Sequence, residues 1–348
     1  MCRVHARLTA RREGDDGVTI LSDTGETGWK TFLFDIVTTG NHTLTWRFKN
    51  RISSACSGGW IPPAQGAGAC ADRVWIDAVS LPSSVFPDPP RLGNLSTRMQ
   101  VLTGNDVMIG GFVIGGSANK TVVVRARGPS LVPFGIANAL ANTTLTLVRS
   151  SDQAAIAVND DWQAAPNSFA ITASGFAPSD SRESALLVTL APGAYTAIVS
   201  GVGGATGVAI VEVFEVDEPA IPLINISTRG QVLTANDVMI GGFVVQGTGP
   251  QTVVVRARGP SLIPFGIPNA LANPSLQLVR SSDQSTIAIN DNWGSAANAA
   301  AISGSGFAPS DPLEAAILVT LNPGAYTAIV TGVGGATGVG IVEVFTVP

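Results

Sequence analysis

Residues 94–348 of this 348-residue chain are one segment written twice, and no other feature constrains the fold as strongly. Setting Asn94 on Asn225 aligns the chain with itself at a constant offset of 131, without a gap. About 90 of the roughly 123 aligned positions are identical. "STR", "NDVMIGGFV", "TVVVRARGPSL", "LVRSSDQ", "PGAYTAIV" and "GVGGATGV" recur in the same order. Each copy is large enough to bury a core of its own. The expected organisation is an N-terminal module at residues 1–82, a Pro-rich linker at 83–93, one copy at 94–217, a second linker at 218–224 and the other copy at 225–348. Proline fixes φ, so both linkers read as semi-rigid spacers. The picture is an elongated array of domains.

Within one copy the apolar segments are short and separated by Gly, Pro, Asn and Asp. Eight strands are expected: "NLSTRMQVL", "DVMIGGFVI", "KTVVVRAR", "TLTLVRS", "AAIAVND", "ALLVTL", "AYTAIVSG" and "GVAIVEVFEV". One short helix is expected at "SFAITASGF". The fold class is all-β, with tandem antiparallel β-sandwich or jelly-roll domains. Gly110 and Gly111 interrupt an apolar strand, which signals a bulge or a close backbone approach.

Composition removes several function classes. Charged residues make up 13% of the chain, the net charge is −5, and Lys occurs only at Lys30, Lys49 and Lys120, so no basic footprint for nucleic acid is present. No apolar run reaches the ~18 residues of a membrane-spanning helix. The only histidines are His5 and His42, and neither copy contains His or Cys. Ser-His-Asp, Cys-His and His-metal sites are therefore excluded from the copies. No catalytic constellation remains, and the expectation is a protein that is not an enzyme.

Three side-chain groups invite a functional reading. The first is the stretch Asn159-Asp160-Asp161-Trp162, repeated as Asn290-Asp291-Asn292-Trp293. Two adjacent acids on a strand leave on opposite faces, and Asp161 becomes Asn292, so an acid–base pair is rejected. Two readings stay open. One is a strand-ending turn in which Asn and Asp bond the local backbone. The other is a calcium loop, with Asn159, Asp160, Asp161, Asp180 and Glu183 in the first copy and Asn290, Asp291, Asn292, Asp311 and Glu314 in the second. The second group is Trp162 and Trp293, either stacking platforms for sugar or caps on the sandwich core. The third is ionic. Arg125 and Arg127, like Arg256 and Arg258, share a strand face, while Glu212 and Glu343 sit inside apolar "IVEVF". An ionic group among such strands needs a partner, so bridges Arg125–Glu212 and Arg256–Glu343 are expected, with anion binding by the arginines as the rival.

Outside the copies, Cys56 and Cys70 bracket a Gly/Pro-rich loop and are paired here as a disulfide, against the alternative of two free thiols; the state of Cys2 is open. Sequons at Asn41, Asn94, Asn119, Asn142 and Asn225 fit exposed turns.

The segment from "LVRSSDQAAIAVNDDW" to "GATGVAIVEV" resembles the bacterial pre-peptidase C-terminal type of β-sandwich. The resemblance rests on Asn159, Asp160, Leu190, Gly193, Tyr195 and Gly201 and their counterparts in the second copy. The earlier "DVMIGGFVIGG…VVVRARGPSL" portion resembles a repeat found at the ends of large secreted bacterial proteins. "GWKTFLFDIVTTGNHTLTWRFKN…ADRVWIDAVSLP" is similar to the last strands of bacterial lectin-like jelly rolls, so residues 1–82 read as a partial module. These resemblances imply an extracellular or cell-surface location. The implied role is structural or adhesive, with fibre assembly or display, and the implied partners are other copies of the chain or surface and matrix glycans. The second implied role is a carbohydrate-binding or secretion-related accessory region of a larger hydrolase.

Overall fold

The computed structural model describes residues 4–12, 18–24, 42–50, 89–217 and 222–347. It divides into two units, Met1–Phe86 and Pro87–Pro348. In the first unit, β1 (Val4–Arg12) lies between β2 (Val18–Thr24) and β3 (His42–Asn50) in an antiparallel sheet. The β1–β2 ladder shifts register between Leu8 and Thr9. Cys2, Cys56 and Cys70 lie outside the described residues, so the expected disulfide does too.

In the second unit each copy forms the eight expected strands. They are β4 (Arg91–Val101), β5 (Met108–Ile114), β6 (Lys120–Arg127), β7 (Thr143–Arg149), β8 (Ala154–Asn159), β9 (Ser184–Leu190), β10 (Gly193–Gly201) and β11 (Gly207–Glu215). The second copy repeats them as β12 (Leu223–Val232), β13 (Met239–Gln246), β14 (Gln251–Arg258), β15 (Pro274–Arg280), β16 (Thr286–Asn290), β17 (Ala315–Leu321), β18 (Gly324–Gly332) and β19 (Gly338–Thr346). The helices α1 (Ser168–Ala173) and α2 (Ala299–Gly304) occupy equivalent loops. Alternate burial along β5, β7 and β13 is the period-2 signature of strands with one face on a core.

Antiparallel ladders join β4-β11-β6-β9 into one sheet of the first copy and β5-β10-β7-β8 into the other. The first, eighth, third and sixth strands thus face the second, seventh, fourth and fifth, which is jelly-roll order. The second copy does the same with β12-β19-β14-β17 and β13-β18-β15-β16. Inward side chains such as Phe112, stacked on Tyr195 at 5.6 Å, fill the space between the sheets.

The two copies are not separate beads. Strand β4 pairs along its free edge with β13 of the second copy, with Leu95 opposite Phe243 and Arg98 opposite Ile240. Reciprocally, β12 lies antiparallel to β5, with Leu223 opposite Ile114. Each sheet of one copy therefore runs on into a sheet of the other, and one apolar cluster contains Leu95 and Val213 together with Ile226 and Val344. A pseudo-twofold axis passes between β4 and β12, where the equivalent residues Thr97 and Thr228 share a buried 2.7 Å hydrogen bond.

The expected boundaries at 94–217 and 225–348, with spacers before each, are corrected accordingly. Residues 91–93 and 223–224 belong to strands, and residues 87–348 form one compact unit. The physical reason is edge exposure: β4 and β5 of a lone copy would each present a row of unpaired backbone groups. The β5–β10 ladder runs through Gly110 and Gly111 without a register shift, and side chains of neighbouring strands crowd them more closely than any backbone does. A Cβ on Gly111 would lie 2.6 Å from Ser227 Oγ of the crossing strand β12. Asn94 and Asn225, expected in turns, lie inside β4 and β12.

Candidate functional site

The outer edge of each jelly roll, between β8 and β9 or between β16 and β17, is where the repeated Asn-Asp-x-Trp stretch falls. Strand β8 ends at Asn159 because the chain must leave its sheet and cross to the other. The Asn159 side chain makes that crossing possible. Its Oδ1 accepts from Ala185 N of β9 at 2.9 Å, and its Nδ2 donates to Asp161 O at 3.1 Å. One amide thus ties the open edges of the two sheets together. Asn290 does the same with Ala316 N at 2.9 Å and Asn292 O at 3.2 Å. Only the main-chain carbonyl of Asp161 takes part in this tie, and Asn292 supplies the same carbonyl in the second copy. Asp160 Oδ1 accepts from Asp161 N at 3.0 Å, an ordinary turn contact.

After that turn, Trp162 N donates to Glu183 O at 2.9 Å and its indole Nε1 donates to Asp180 O at 3.1 Å. Trp162 is 8% exposed and packs with Ile171 of α1 and Ala185 in a small cluster over the outer face of the sheet. Ala165, Ala177 and Leu187 complete that cluster. A ring so covered is a core cap and not a sugar-stacking platform, which corrects that expectation for Trp162. Trp293 is half-buried at the equivalent place, with its N bonded to Glu314 O at 2.9 Å.

The expected calcium ligands are spread over separate tasks. Asp180 is bonded to Arg182 through both carboxylate oxygens at 3.0 Å, and these bonds hold its pKa below the usual carboxylate value. Asp311 Oδ1 accepts from Leu313 N at 2.9 Å. Glu183 is fully buried, and its Oε1 accepts from Gly128 N and Ser130 N, each at 2.9 Å. Glu314 receives Gly259 N, Ser261 N and Ser261 Oγ in the same way. Among the described residues no three or more His, Cys, Asp or Glu side chains come together as a metal-binding group.

These buried glutamates were missed as structural residues in the sequence. Each fastens the "GPS" turn after β6 or β14 to the start of the sixth strand of its jelly roll. A buried carboxylate accepting two backbone N–H groups is a strong contact, because removing it strands two donors. Its signal was present in the sequence: a Glu just before an apolar strand, retained while its neighbours Ser181, Arg182 and Ser184 became Pro312, Leu313 and Ala315.

The ionic group is brought together. Arg125 Nε donates to Glu212 Oε2 at 2.6 Å, and Arg256 Nε donates to Glu343 Oε2 at 2.6 Å. Residues 125 and 212 are direct partners in the β6–β11 ladder, as 256 and 343 are in β14–β19. Arg125 Nη1 also donates to Phe176 O at 2.7 Å, and its guanidinium lies 4.8 Å above the Phe214 ring, itself stacked on Phe176. Arg127 Nε donates to Ser130 Oγ at 3.0 Å. The first arginine of each pair is thus shared among a carboxylate, a carbonyl and an aromatic face, which leaves little of it to hold an anion.

Two other surface features stand out. A groove of about 430 Å³ runs along the outer edge of the second copy, lined by Ile287, Ile289, Asn290, Asn298, Ala316 and Val319. Within it Asn298 Nδ2 donates to Leu318 O at 3.0 Å, as Asn167 does to Leu187 O in the first copy. The turns after β6 and β14 also present matched apolar side chains to solvent, Val132 and Phe134 in one copy and Ile263 and Phe265 in the other. Phe134 and Phe265 are 77% and 78% exposed. Among the described residues no helix is long and apolar enough to cross a membrane.

No family model matches the chain, and no curated protein does. The solved structure of a DUF4785 family protein from Legionella pneumophila is similar at 9% identity and a TM-score of 0.20, over 80% of this chain and 89% of that one. A likeness at that score carries no argument about the fold or the function. The class that the strand order defines is therefore the all-β jelly-roll sandwich.

Proposed function

We propose that this chain is a non-catalytic structural and adhesive module that works outside the cell or on its surface. The observation that carries this reading is the repetition of one exposed apolar surface, Val132 with Phe134 and Ile263 with Phe265, on two halves of a single sandwich. Isolated exposed apolar side chains are ordinary, but an equivalent pair, Val or Ile with Phe, in both copies gives a partner two matching footholds. Two weak contacts on one frame act at high effective concentration, so avidity replaces tight binding. The commitment of Arg125, Glu183 and Glu212 to internal partners supports the non-catalytic part of the reading. Surface or matrix glycans and other copies of the chain are the partners this role calls for.

The test is electron microscopy of concentrated protein with and without millimolar calcium, beside a glycan-array screen. The expected outcome is ordered assembly, or array binding, that is lost in the double variant Phe134→Ser, Phe265→Ser. Dispersed particles together with an empty array would sink the proposal. Assembly that appears only with calcium would assign the Asp160 and Asp291 turns a role in it.

A further inference from the structure

The seam between the copies is nearly symmetric, and the places where it is not are informative. Thr97 meets Thr228 on the axis, Ser227 packs on Gly111, and Ser96 packs on Gly242. Asn138 donates to Asp237 at 3.3 Å while Asn269 donates to Asp106 at 3.1 Å. Arg98 reaches Asn236 O, and Arg229 reaches Asn105 O, each at 3.5 Å. All of these are equivalent pairs, identical in the two copies. Symmetric contacts of this kind would allow either copy to pair with itself.

Several seam positions differ between the copies, such as Leu95/Ile226 and Ile114/Val245, which exchange one aliphatic for another; at three of them a large side chain replaces glycine, and each is matched by its opposite across the seam. Met99, 1% exposed, corresponds to Gly230, and the two face each other: a Cβ on Gly230 would collide with Met99 Sδ. Gly93 corresponds to Ile224, and Gly115 corresponds to Gln246. Gly93 packs under the Gln246 side chain, where a Cβ would collide with it. Ile224 in turn packs over Gly115, whose Cβ would lie 2.8 Å from Ile224 Cγ2. Each of these three contacts is therefore large on small. Pairing the first copy with itself would set Met99 against Met99 and leave Gly93 facing Gly115. Pairing the second with itself would set Ile224 against Gln246 and leave a gap at Gly230.

We infer that this seam is a keyed interaction surface whose partner is the opposite copy: first copy on second, never like on like. The identical residues supply the geometry, and Met99/Gly230, Gly93/Gln246 and Ile224/Gly115 supply the specificity. Overpacking and cavities both destabilise a buried contact, so Met99/Gly230, where Met99 is 1% exposed, carries most of the lock against self-pairing, and the contact of the more exposed Ile224 with Gly115 adds less, in the manner of steric negative selection between related partners. A second copy of the chain can meet this surface only in the same first-on-second arrangement.

A size-exchange cycle in the intact chain tests the inference. Met99→Gly and Gly230→Met are each expected to lower Tm by roughly 5–15 °C, one by a cavity and the other by a clash. The double exchange, Met99→Gly with Gly230→Met, moves the large side chain to the other side of the axis and is expected to recover most of the loss. If the double variant loses as much as the two single losses added together, the key does not exist. Should either single variant fail to fold, the double variant still decides: a folded double supports the key and an unfolded one overturns it. The second arm exchanges Gly93 and Ile224 alone, which is expected to destabilise, and then exchanges Gly115 and Gln246 as well, which is expected to restore. No difference between those two variants would also overturn the inference.

Discussion

Each jelly roll has two open ends, and the protein closes them in different ways. At the inner end, β4 and β5 are completed by β13 and β12 of the other copy, backbone to backbone. At the outer end, no strand among the described residues continues the sheets past β8 and β9. There Asn159 and Asn167 bridge to Ala185 N and Leu187 O with side-chain amides. A ladder satisfies a whole row of donors and acceptors cooperatively, whereas an amide satisfies two groups. The inner end is thus a fixed joint, and the outer end is a tied but still reachable edge. The comparison teaches that a sandwich edge can be protected by repetition of the domain or by a few asparagines, at very different strengths.

The heaviest blow to that comparison falls at the joint. Gly242→Ile puts a branched side chain where its Cβ alone would lie 3.2 Å from Ser96 O, so β13 must shift against β4 to admit it. A loss of about 3 kcal/mol or more is expected, read as a drop in urea midpoint. A smaller effect comes from the ties inside one copy. Glu183→Ala strands Gly128 N and Ser130 N and should cost about 2–4 kcal/mol. Glu212→Gln weakens the charged contact to Arg125 and should cost about 1–3 kcal/mol; an unchanged melting point would remove that bridge from the account.

The outer edge should yield less still. Asn159→Ala leaves Ala185 N unpaired and should cost about 1–2 kcal/mol, with faster amide exchange confined to β8 and β9. Asp161→Asn should change nothing measurable, since only its main chain is used; a clear loss would show that the acid has a duty the geometry lacks.

The smallest effect separates the copies by pH. Glu215, with Lys120, Asp217 and Arg91, forms an ionic cluster whose counterparts in the second copy are Thr346, Gln251, Pro348 and Pro222. Burial raises the Glu215 carboxyl above its ordinary value, against the opposing pull of Lys120 and Arg91. A group whose folded pKa is raised holds more protons in the folded state. Its stabilising contribution is full below the ordinary carboxylate pKa and fades as pH rises through the raised one. Wild type should therefore gain on Glu215→Gln as pH falls across that window, and a constant difference in urea midpoint would show that the shift is absent.

Much of this was legible in the sequence. The strands were readable because each is an apolar run between turn formers, and β6 matches "KTVVVRAR" residue for residue. The Arg125–Glu212 contact was readable because an acid inside "IVEVF" requires a partner. The seam was not, because hydrophobic alternation marks which face of a strand is buried and carries no information about which strand lies at its edge. The proline-rich stretches before β4 and β12 misled for a related reason: they fix local direction, whereas pairing is decided by segments more than a hundred residues away. The clue available was negative. In segments otherwise nearly identical, "STRMQVL" became "STRGQVL" and "FVIGG" became "FVVQG", and such changes at buried strand positions require compensation somewhere.

The seam also has a consequence in time. During synthesis β4 and β5 emerge more than a hundred residues ahead of β13 and β12, the strands that complete them. The first jelly roll must wait on or near the ribosome with two bare edges until the second arrives, and closure then joins regions far apart in sequence, which is slow. The vulnerable moment for this protein is its half-made state, when a neighbouring nascent chain offers the same missing strands.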